Sequence, residues 1–318
     1  ISTFLKADLQ GGAFYGCTAL TDAKLSNSIT VLNSAFAKCT SLTNVDLPDN
    51  LRVINDTFEG CEQLKISELP DSVEEIGYGT FKGCERIASF DISSNVKFLP
   101  SGAFEPYVFL NIPEDSPLKG SSELEDCYTE KITLTLNSDA EVRDYINSGT
   151  DYNNKTEKYT NVENIILSDD CESYVSVDGV LFTRDMKTLV SYPRAKDGDS
   201  YVVPDSVETI GYCAFYNTHL RHIQLPENLK NIEKTAFLFC SLLEEIDIPG
   251  TVAVIGNKSF SNCISLEKVT LHEGTKEIGF GTFEYCVDLK EINFPESLEN
   301  IDLTAFSGCP NFPYSAIK

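Results

Sequence analysis

A small residue followed by phenylalanine recurs along this chain with almost constant spacing, and a cysteine usually stands three residues after the phenylalanine. The ten phenylalanines are Phe14, Phe36, Phe58, Phe81, Phe104, Phe215, Phe237, Phe260, Phe283 and Phe306. The eight cysteines are Cys17, Cys39, Cys61, Cys84, Cys240, Cys263, Cys286 and Cys309. Within each run of five, successive phenylalanines lie 22 or 23 residues apart. A period of this length predicts repeated units that stack in one dimension.

The repeated unit is clearest in residues 243–263, which read LEEIDIPGTVAVIGNKSFSNC. Its L-x-x-I-x-I part ends in alternating apolar and polar residues, which predicts a short strand with one buried face. The proline that follows cannot donate a ladder hydrogen bond, so it ends the strand and turns the chain. The V-x-x-I part predicts a second short extended segment. The final S-F-x-x-C predicts a tight helical turn that points the phenylalanine inward.

One such coil cannot bury its apolar side alone, but stacked coils bury it against each other at a strand spacing of about 4.8 Å. We therefore predict a β-rich, right-handed solenoid of 22–23-residue coils with short strands and short helical turns. The ten phenylalanines should then form one internal column.

The period lapses between Phe104 and Phe215. Patterns within the gap predict strands around 132–136, 162–167, 189–193 and 201–204, a short helix at 139–146, a loop at 151–160 and a hairpin at 174–182. We infer one continuous solenoid over 1–318, with regular repeats at 1–110, irregular enlarged coils at 111–200 and regular repeats at 201–318. A separate inserted domain is the alternative.

The eleven cysteines do not indicate a disulfide scaffold. Eight occupy one repeat position, where neighbouring Cβ atoms would lie about 4.8 Å apart, longer than the disulfide mean of about 3.8 Å. We expect them to be buried free thiols that bond weakly to the backbone. One cysteine per coil forms a line and not a zinc tetrahedron. Cys127, Cys171 and Cys213 lie off this line, and a Cys127–Cys171 bridge stays open as an alternative.

Charge and composition exclude several classes of function. The 49 acidic and 25 basic residues give a net charge of −24, which disfavours nucleic-acid partners and anionic membranes. A plainer interpretation is that the charge keeps a long open surface soluble. No apolar stretch approaches the roughly 20 residues that span a bilayer. Because the chain begins at Ile1 within a repeat, we expect a trimmed fragment whose export signal and anchor are out of view.

No catalytic or metal-binding set stands out among the residues. His219 and His222 could suggest a metal pair, but the repeat places His222 on the exposed side of a strand and His219 at the preceding turn. No nucleophile has a positioned base, and no glycine-rich phosphate loop occurs. We therefore expect no enzyme activity, no metal and no cofactor.

The outward positions of the first strand should align on neighbouring coils into one polar sheet. Such a varied polar face suits partner recognition. A strand face can also be polar simply because it is exposed to solvent. The candidate partner-binding residues on it are Asp46, Asp91, Arg221, His222, Gln224, Glu245, Asp247, Lys268, Thr270, Lys290 and Asn293. Residues 105–200 could add a second contact surface.

The unit at 243–263 resembles the BspA-like, or Treponema-type, bacterial leucine-rich repeat, and residues 173–193 resemble a segment often found between such repeats. The resemblance implies a leucine-rich-repeat solenoid without catalytic motifs. It also implies an exported, surface-exposed protein that binds a protein or glycan, such as host matrix or another microbe. Residues 105–170 match the family poorly. A structural or scaffolding repeat domain within a larger exported protein is the alternative function.

Overall fold

Short parallel strands supply most of the regular structure in the described part of the chain. The computed structural model describes residues 11–87, 89–100, 102–104, 108–113, 115–118, 131–149 and 162–316. The chain divides into two compact units, residues 1–130 and residues 131–318. The part that is described forms about 11 coils at a spacing of about 22 residues, which confirms the predicted solenoid.

The described residues of the first unit form seven strands in three small parallel sheets. The strands are β1 (Asp22–Lys24), β2 (Val31–Asn33), β3 (Asn44–Asp46), β4 (Val53–Asn55), β5 (Glu75–Ile76), β6 (Ser89–Asp91) and β7 (Phe109–Asn111). The sheets are β1-β3, β2-β4-β5 and β6-β7. Each strand pairs with the strand one coil further along, as Leu32 does with Ile54. This is the register that stacked coils require.

The second unit contains two long sheets, one for each strand of the coil. Its strands are β8 (Ile132–Leu136), β9 (Val162–Leu167), β10 (Tyr174–Val177), β11 (Val180–Thr183), β12 (Thr188–Ser191), β13 (Ser200–Val202), β14 (Thr209–Ile210), β15 (His222–Gln224), β16 (Asn231–Ile232), β17 (Glu245–Ile248), β18 (Val254–Ile255), β19 (Lys268–Leu271), β20 (Glu277–Ile278), β21 (Glu291–Ile292) and β22 (Asn300–Ile301). The five-stranded sheet has the order β13-β15-β17-β19-β21, and the eight-stranded sheet the order β10-β11-β12-β14-β16-β18-β20-β22. A 3-10 turn follows at Tyr314–Ala316.

The predicted elements of the middle region are present in the second unit. Helix α1 (Asp139–Gly149) contains the predicted helix and continues beyond it, and it connects the parallel strands β8 and β9. The predicted hairpin is β10-β11, which turns at Asp178 and Gly179, both with positive φ. The loop predicted at 151–160 lies outside the described residues. Because β12 pairs with β14, residues 188–191 share a sheet with the regular repeats. Continuity over the whole chain stays a prediction.

Phenylalanine rings form the interior of both units. In the first unit the stack runs from Phe14 through Phe36, Phe58 and Phe81 to Phe104, with neighbouring ring centroids 4.7–5.8 Å apart. In the second unit it runs from Phe215 through Phe237, Phe260 and Phe283 to Phe306, at 4.7–5.5 Å. The predicted stacking is confirmed within each unit. That the two stacks form one column stays a prediction.

The regularly spaced thiols each bond to the preceding coil. The Sγ of Cys61 donates to the carbonyl oxygen of Phe36 at 3.1 Å, and Cys286 donates to Phe260 at the same distance. The same bond is made by Cys39, Cys84, Cys240, Cys263 and Cys309. Burial raises the pKa of Cys61 and of Cys309 to about 12. These seven cysteines are buried and free, as predicted.

The first copy of the repeat departs from this pattern. Cys17 is exposed and Phe14 is only half-buried, so the expectation of a buried thiol is wrong at Cys17. The physical reason is position, since among the described residues no coil precedes this copy to cover it or to offer a phenylalanine carbonyl.

Two cysteines away from the repeat position are also buried and free. Cys171 donates its thiol to the carbonyl of Leu136 at 3.6 Å, so it does not form the bridge considered for it. Its suggested partner Cys127 lies outside the described residues. The Sγ of Cys213 lies 3.1 Å from the hydroxyl of Thr235.

Candidate partner-binding face

The five-stranded sheet of the second unit aligns outward side chains from successive coils. His222 pairs in register with Glu245, Glu245 with Lys268, and Lys268 with Glu291. All four side chains are exposed, whereas the inward residues between them, such as Ile246 and Val269, are buried. The alternation arises because successive side chains on a strand point to opposite sides of the sheet. We call the outward side of β13, β15, β17, β19 and β21 the strand face.

Nine of the eleven candidate residues lie on or beside the strand face. They are Arg221, His222, Gln224, Glu245, Asp247, Lys268, Thr270, Lys290 and Asn293. Thr270 is half-buried and the other eight are exposed. Asp46 and Asp91 are exposed on β3 and β6 of the first unit, so the structure divides the candidates into two groups.

The two candidates of the first unit belong to a column with several acidic residues. Asp46 receives a bond from Lys24 at 2.5 Å, and Asp91 accepts a bond from the Asn111 amide at 3.1 Å. Glu68 stands between them and forms a β-bridge with Asp91. Both predicted carboxylates are therefore already engaged by side chains of neighbouring coils.

Four of the nine candidates on the second unit also have partners within the protein at 2.9 Å or less. Arg221 pairs with Glu244 and Lys290 with Glu267, each at 2.8 Å. Asp247 lies 2.6 Å from the Nε2 of His272. These two ion pairs and the Asp247–His272 hydrogen bond join neighbouring coils.

The fourth of these residues is Asn293, whose side-chain amide hydrogen-bonds to main-chain groups as a neighbouring strand would. Its Nδ2 donates to the carbonyl of Leu271 at 2.6 Å, and its Oδ1 accepts from the Leu271 N–H at 2.9 Å. Both polar atoms of this side chain therefore stabilise the stacking of two coils. That use leaves the amide less free to bind a partner.

The centre of the strand face keeps polar groups without partners. Within the part of the chain that the structure describes, the side chains of Gln224, Glu245, Lys268 and Thr270 make no hydrogen bond or ion pair. Glu245 and Lys268 are register partners of opposite charge, yet they are not within ion-pair distance. A surface that leaves such groups unpaired can exchange its water for the matching groups of another molecule.

Four neighbouring residues were not among the candidates, namely Glu291 on the strand face itself and Glu244, Glu267 and His272 beside it. His272 stands directly after Leu271, where other coils carry Pro226, Pro249 and Pro295. That exception to the repeat is the signal that could have identified it. The acidic residues occupy outward template positions, but nothing in the sequence distinguishes their partners from the many other carboxylates.

The two histidines considered as a metal pair have separate roles. The Nδ1 of His219 lies 2.9 Å from the carbonyl of Arg194, and burial lowers the pKa of its imidazole. His222 points outward, with its Nε2 4.0 Å from Glu244. Among the described residues, no three histidines, cysteines or carboxylates stand together in a way that could hold a metal ion.

The second strand of the coil carries a row of alternating charge, which we call the charged row. Glu208 binds Lys187 at 2.8 Å on one side and Lys230 at 2.6 Å on the other, and these two ammonium groups lower the pKa of its carboxyl to about 2. In the first unit, Lys97 and Arg52 flank Glu74 in the same way and lower its pKa. An acid in this row therefore attracts a base from each neighbouring coil.

Comparisons with known proteins agree with this architecture. A model of the BspA type leucine-rich repeat region matches six copies, over residues 7–111 and 195–313. No curated protein sequence matches the chain. In the described part of the chain, none of the helices has the length and apolar character needed to cross a bilayer.

Several solved structures are similar to this chain at low sequence identity. A leucine-rich repeat protein from Eubacterium ventriosum shares 19% identity over 98% of this chain and 81% of that chain, with a TM-score of 0.41. A leucine-rich cell surface protein from Faecalibacterium prausnitzii shares 21% over 88% of this chain and 74% of that chain, with a TM-score of 0.34. The pneumococcal vaccine antigen PcpA shares 19% over 92% of this chain and 60% of that chain, with a TM-score of 0.36.

Proposed function

Because the chain belongs to the BspA type leucine-rich-repeat family, we propose that it is a non-enzymatic module that binds a partner protein through the strand face. A repeat scaffold of this kind offers an extended surface whose shape is fixed by the stacked coils beneath it. We also propose that it works outside a bacterial cell, on the surface or secreted, as the family resemblance implies.

The observation that carries the proposal is the unpaired centre of the strand face. Gln224, Glu245, Lys268 and Thr270 come from three successive coils and present amide, carboxylate, ammonium and hydroxyl groups side by side. The hydrophobic interior holds the strands beneath them, so little ordering is required when a partner binds. Mixed charges at fixed positions favour a protein partner over a uniform polymer, because they specify register and orientation.

Binding to arrayed extracellular-matrix proteins, bacterial surface proteins and glycans identifies the partner class. The purified chain should retain at least one protein, and capture of glycans alone would contradict the choice of a protein partner. The contribution of the strand face is then measured by surface plasmon resonance with the identified protein.

The test variant exchanges the two central charges, Glu245→Lys with Lys268→Glu, which leaves the net charge unchanged. We expect binding to weaken at least ~10-fold, as for a charged pair near the centre of an interface. The matched control is Glu277→Ala on β20 of the eight-stranded sheet, which should bind like the wild type. Equal affinity for the exchanged variant and the wild type would place the binding site elsewhere.

A further inference from the structure

The charged row of the second unit is interrupted at one coil in its interior. Strands β16, β18 and β20 are consecutive in the eight-stranded sheet, and their coils place Ala253 in the row between Lys230 and Lys276. The alternation of base and acid along the row would put a carboxylate at this position, and the chain has a methyl group instead. The successive members of the row are Lys187, Glu208, Lys230, Ala253, Lys276 and Glu299.

The two lysines beside Ala253 each have an acid on their far side. Lys230 binds Glu208 at 2.6 Å, and Lys276 binds Glu299 at 3.2 Å. Among the described residues, neither ammonium group pairs with an acid on the side of Ala253. The two lysines stand two strand spacings apart, or about 9.6 Å. A carboxylate placed midway between them is therefore within reach of both.

Two acids elsewhere in the protein show how the row treats a carboxylate in this position. Glu208 binds Lys187 at 2.8 Å from the coil before and Lys230 at 2.6 Å from the coil after. Glu74 is held in the same way, with Lys97 at 2.6 Å on one side and an ion pair to Arg52 on the other. The spacing of the coils thus lets two basic side chains converge on one carboxylate, and a carboxylate supplied from outside at Ala253 would meet the same attraction.

The next outward position of the same coil is apolar and open. Val254 is 51% exposed and stands directly after Ala253, which is half-buried. One exposed valine is common on protein surfaces, but this one adjoins the missing charge, so two neighbouring positions of a single coil depart from the polar pattern together. We call Ala253, Val254, Lys230 and Lys276 the row gap. The other parallel strands of the sheet carry polar residues at the position of Val254, namely Thr188, Thr209, Asn231, Glu277 and Asn300.

We propose that the row gap is a second docking surface, which binds a segment of another protein carrying an aspartate or glutamate next to an apolar side chain. The carboxylate lies over Ala253 and accepts hydrogen bonds from Lys230 and Lys276, and the apolar side chain covers Val254. Each lysine then has an acid on both sides, and the row alternates without interruption. The row gap belongs to the eight-stranded sheet and not to the strand face, so it does not depend on the proposed function.

The chemistry of the row gap favours a protein segment over a phosphate group or an anionic glycan. Glu208 and Glu299 already offset the charges of the two lysines, so the gap attracts one carboxylate more readily than a dense group of charges. The net charge of −24 also repels polyanions. Val254 offers no hydrogen bond to a sugar hydroxyl, but it gains from burial against an apolar side chain.

The probe is a random dodecapeptide library displayed on phage, which is panned on the intact wild-type chain after depletion on the variant Ala253→Glu. This variant supplies a carboxylate from the chain itself and so closes the gap. The enriched peptides should share an acidic residue next to an apolar residue. A fluorescein-labelled enriched peptide, followed by fluorescence anisotropy, should bind Ala253→Glu at least ~10-fold more weakly than the wild type. Val254→Thr, which keeps the shape of the side chain, should weaken binding by roughly 3–5-fold.

Matched variants separate a specific site from general effects of charge and of folding. Ser206→Glu adds the same charge at an exposed turn two coils earlier and should bind the peptide like the wild type. Ala253→Glu should melt at or above the wild-type temperature at pH 6, since its new carboxylate meets two lysines, and a lower melting temperature would contradict that two-sided attraction. The strand-face variant Glu245→Lys with Lys268→Glu should bind the peptide normally, which separates the row gap from the proposed function.

Three binding results overturn the proposal. One is a library in which no peptide distinguishes the wild type from Ala253→Glu. Another is an equal loss of affinity for Ser206→Glu, because this would reduce the interaction to net charge. The third is self-association in sedimentation velocity that Ala253→Glu abolishes, since a second copy of the chain would then be the occupant.

Discussion

The thiol of Cys263 donates a hydrogen bond to the main-chain carbonyl of Phe237 in the preceding coil, at 3.2 Å. The two residues come from adjacent coils, and the ring of Phe237 lies 4.7 Å from that of Phe260, which stands three residues before Cys263. Two repeat positions three residues apart thus supply the interior with a ring and satisfy a buried carbonyl with a thiol. The regular spacing of the cysteines along the chain therefore reflects a packing requirement and not disulfide bonding.

The buried thiols should be inert in the native protein, and Cys17 should react. Burial disfavours the thiolate, and the pKa of about 12 for Cys61 and Cys309 leaves only about one molecule in 10,000 ionised at pH 8. In a Cys127→Ser background, a thiol reagent should label Cys17 quickly. Mass spectrometry should then find the other cysteines unmodified until the chain is denatured. Rapid labelling that persists after Cys17→Ser would show that the interior is open.

Thr235→Gly should stabilise the protein. Thr235 has a φ of +58°, a conformation that costs a β-branched residue roughly 1–2 kcal/mol, and Gly79 and Gly281 occupy the same position in other coils. Part of the gain is offset by the lost Thr235 contacts and by the entropy of glycine, so we expect a net increase of about 0.5–1 kcal/mol in the free energy of unfolding.

Urea denaturation measures this change, with Thr209→Gly as the control. Thr209 lies in strand β14, where glycine should destabilise by about 1 kcal/mol. A loss of stability for Thr235→Gly as large as that for Thr209→Gly would mean that the positive φ carries no strain.

The charged row should contribute stability that depends on pH. Because the folded-state pKa of Glu208 is lowered from 4.5 to about 2, its contribution is fully present above pH 4.5 and is lost as the pH falls toward 2. Thermal melts of the wild type and Glu208→Gln should therefore differ at pH 6 and converge near pH 2. A difference that stays constant over this range would exclude the Lys187 and Lys230 ion pairs as its source.

Much of the fold could be predicted because the same sequence pattern occurs in many copies along the chain. Each copy places phenylalanine, cysteine and proline at the same positions, so one physical argument applies to every coil. The helix α1 was predicted to end at Ile146 but continues to Gly149. Its start has a capping signal, since the hydroxyl of Ser138 accepts from the Glu141 N–H and the Glu141 carboxylate accepts from the Asn137 N–H.

Features that depend on the contents of a neighbouring coil were not predictable from a single repeat. The Asn293 amide that binds Leu271 requires the register between two coils, and Tyr314 replaces a thiol without any resemblance to the repeat. The exposure of Cys17 likewise could not be predicted from its own motif, which matches that of the buried cysteines. The outward residues of the strand face were identified correctly as outward. Their ion pairs with residues of neighbouring coils could not be predicted, because these pairs depend on side-chain positions in two coils at once.

The most direct test of the stacked interior compares two phenylalanines from neighbouring coils. Phe260 is fully buried between Phe237 and Phe283, whereas Phe280 is 46% exposed. Urea unfolding of Phe260→Ala should show a loss of roughly 3–5 kcal/mol, because it removes a ring from the stack and leaves a cavity. Phe280→Ala should lose less than about 1 kcal/mol. Equal and small losses for both variants would contradict a dry interior shared by successive coils.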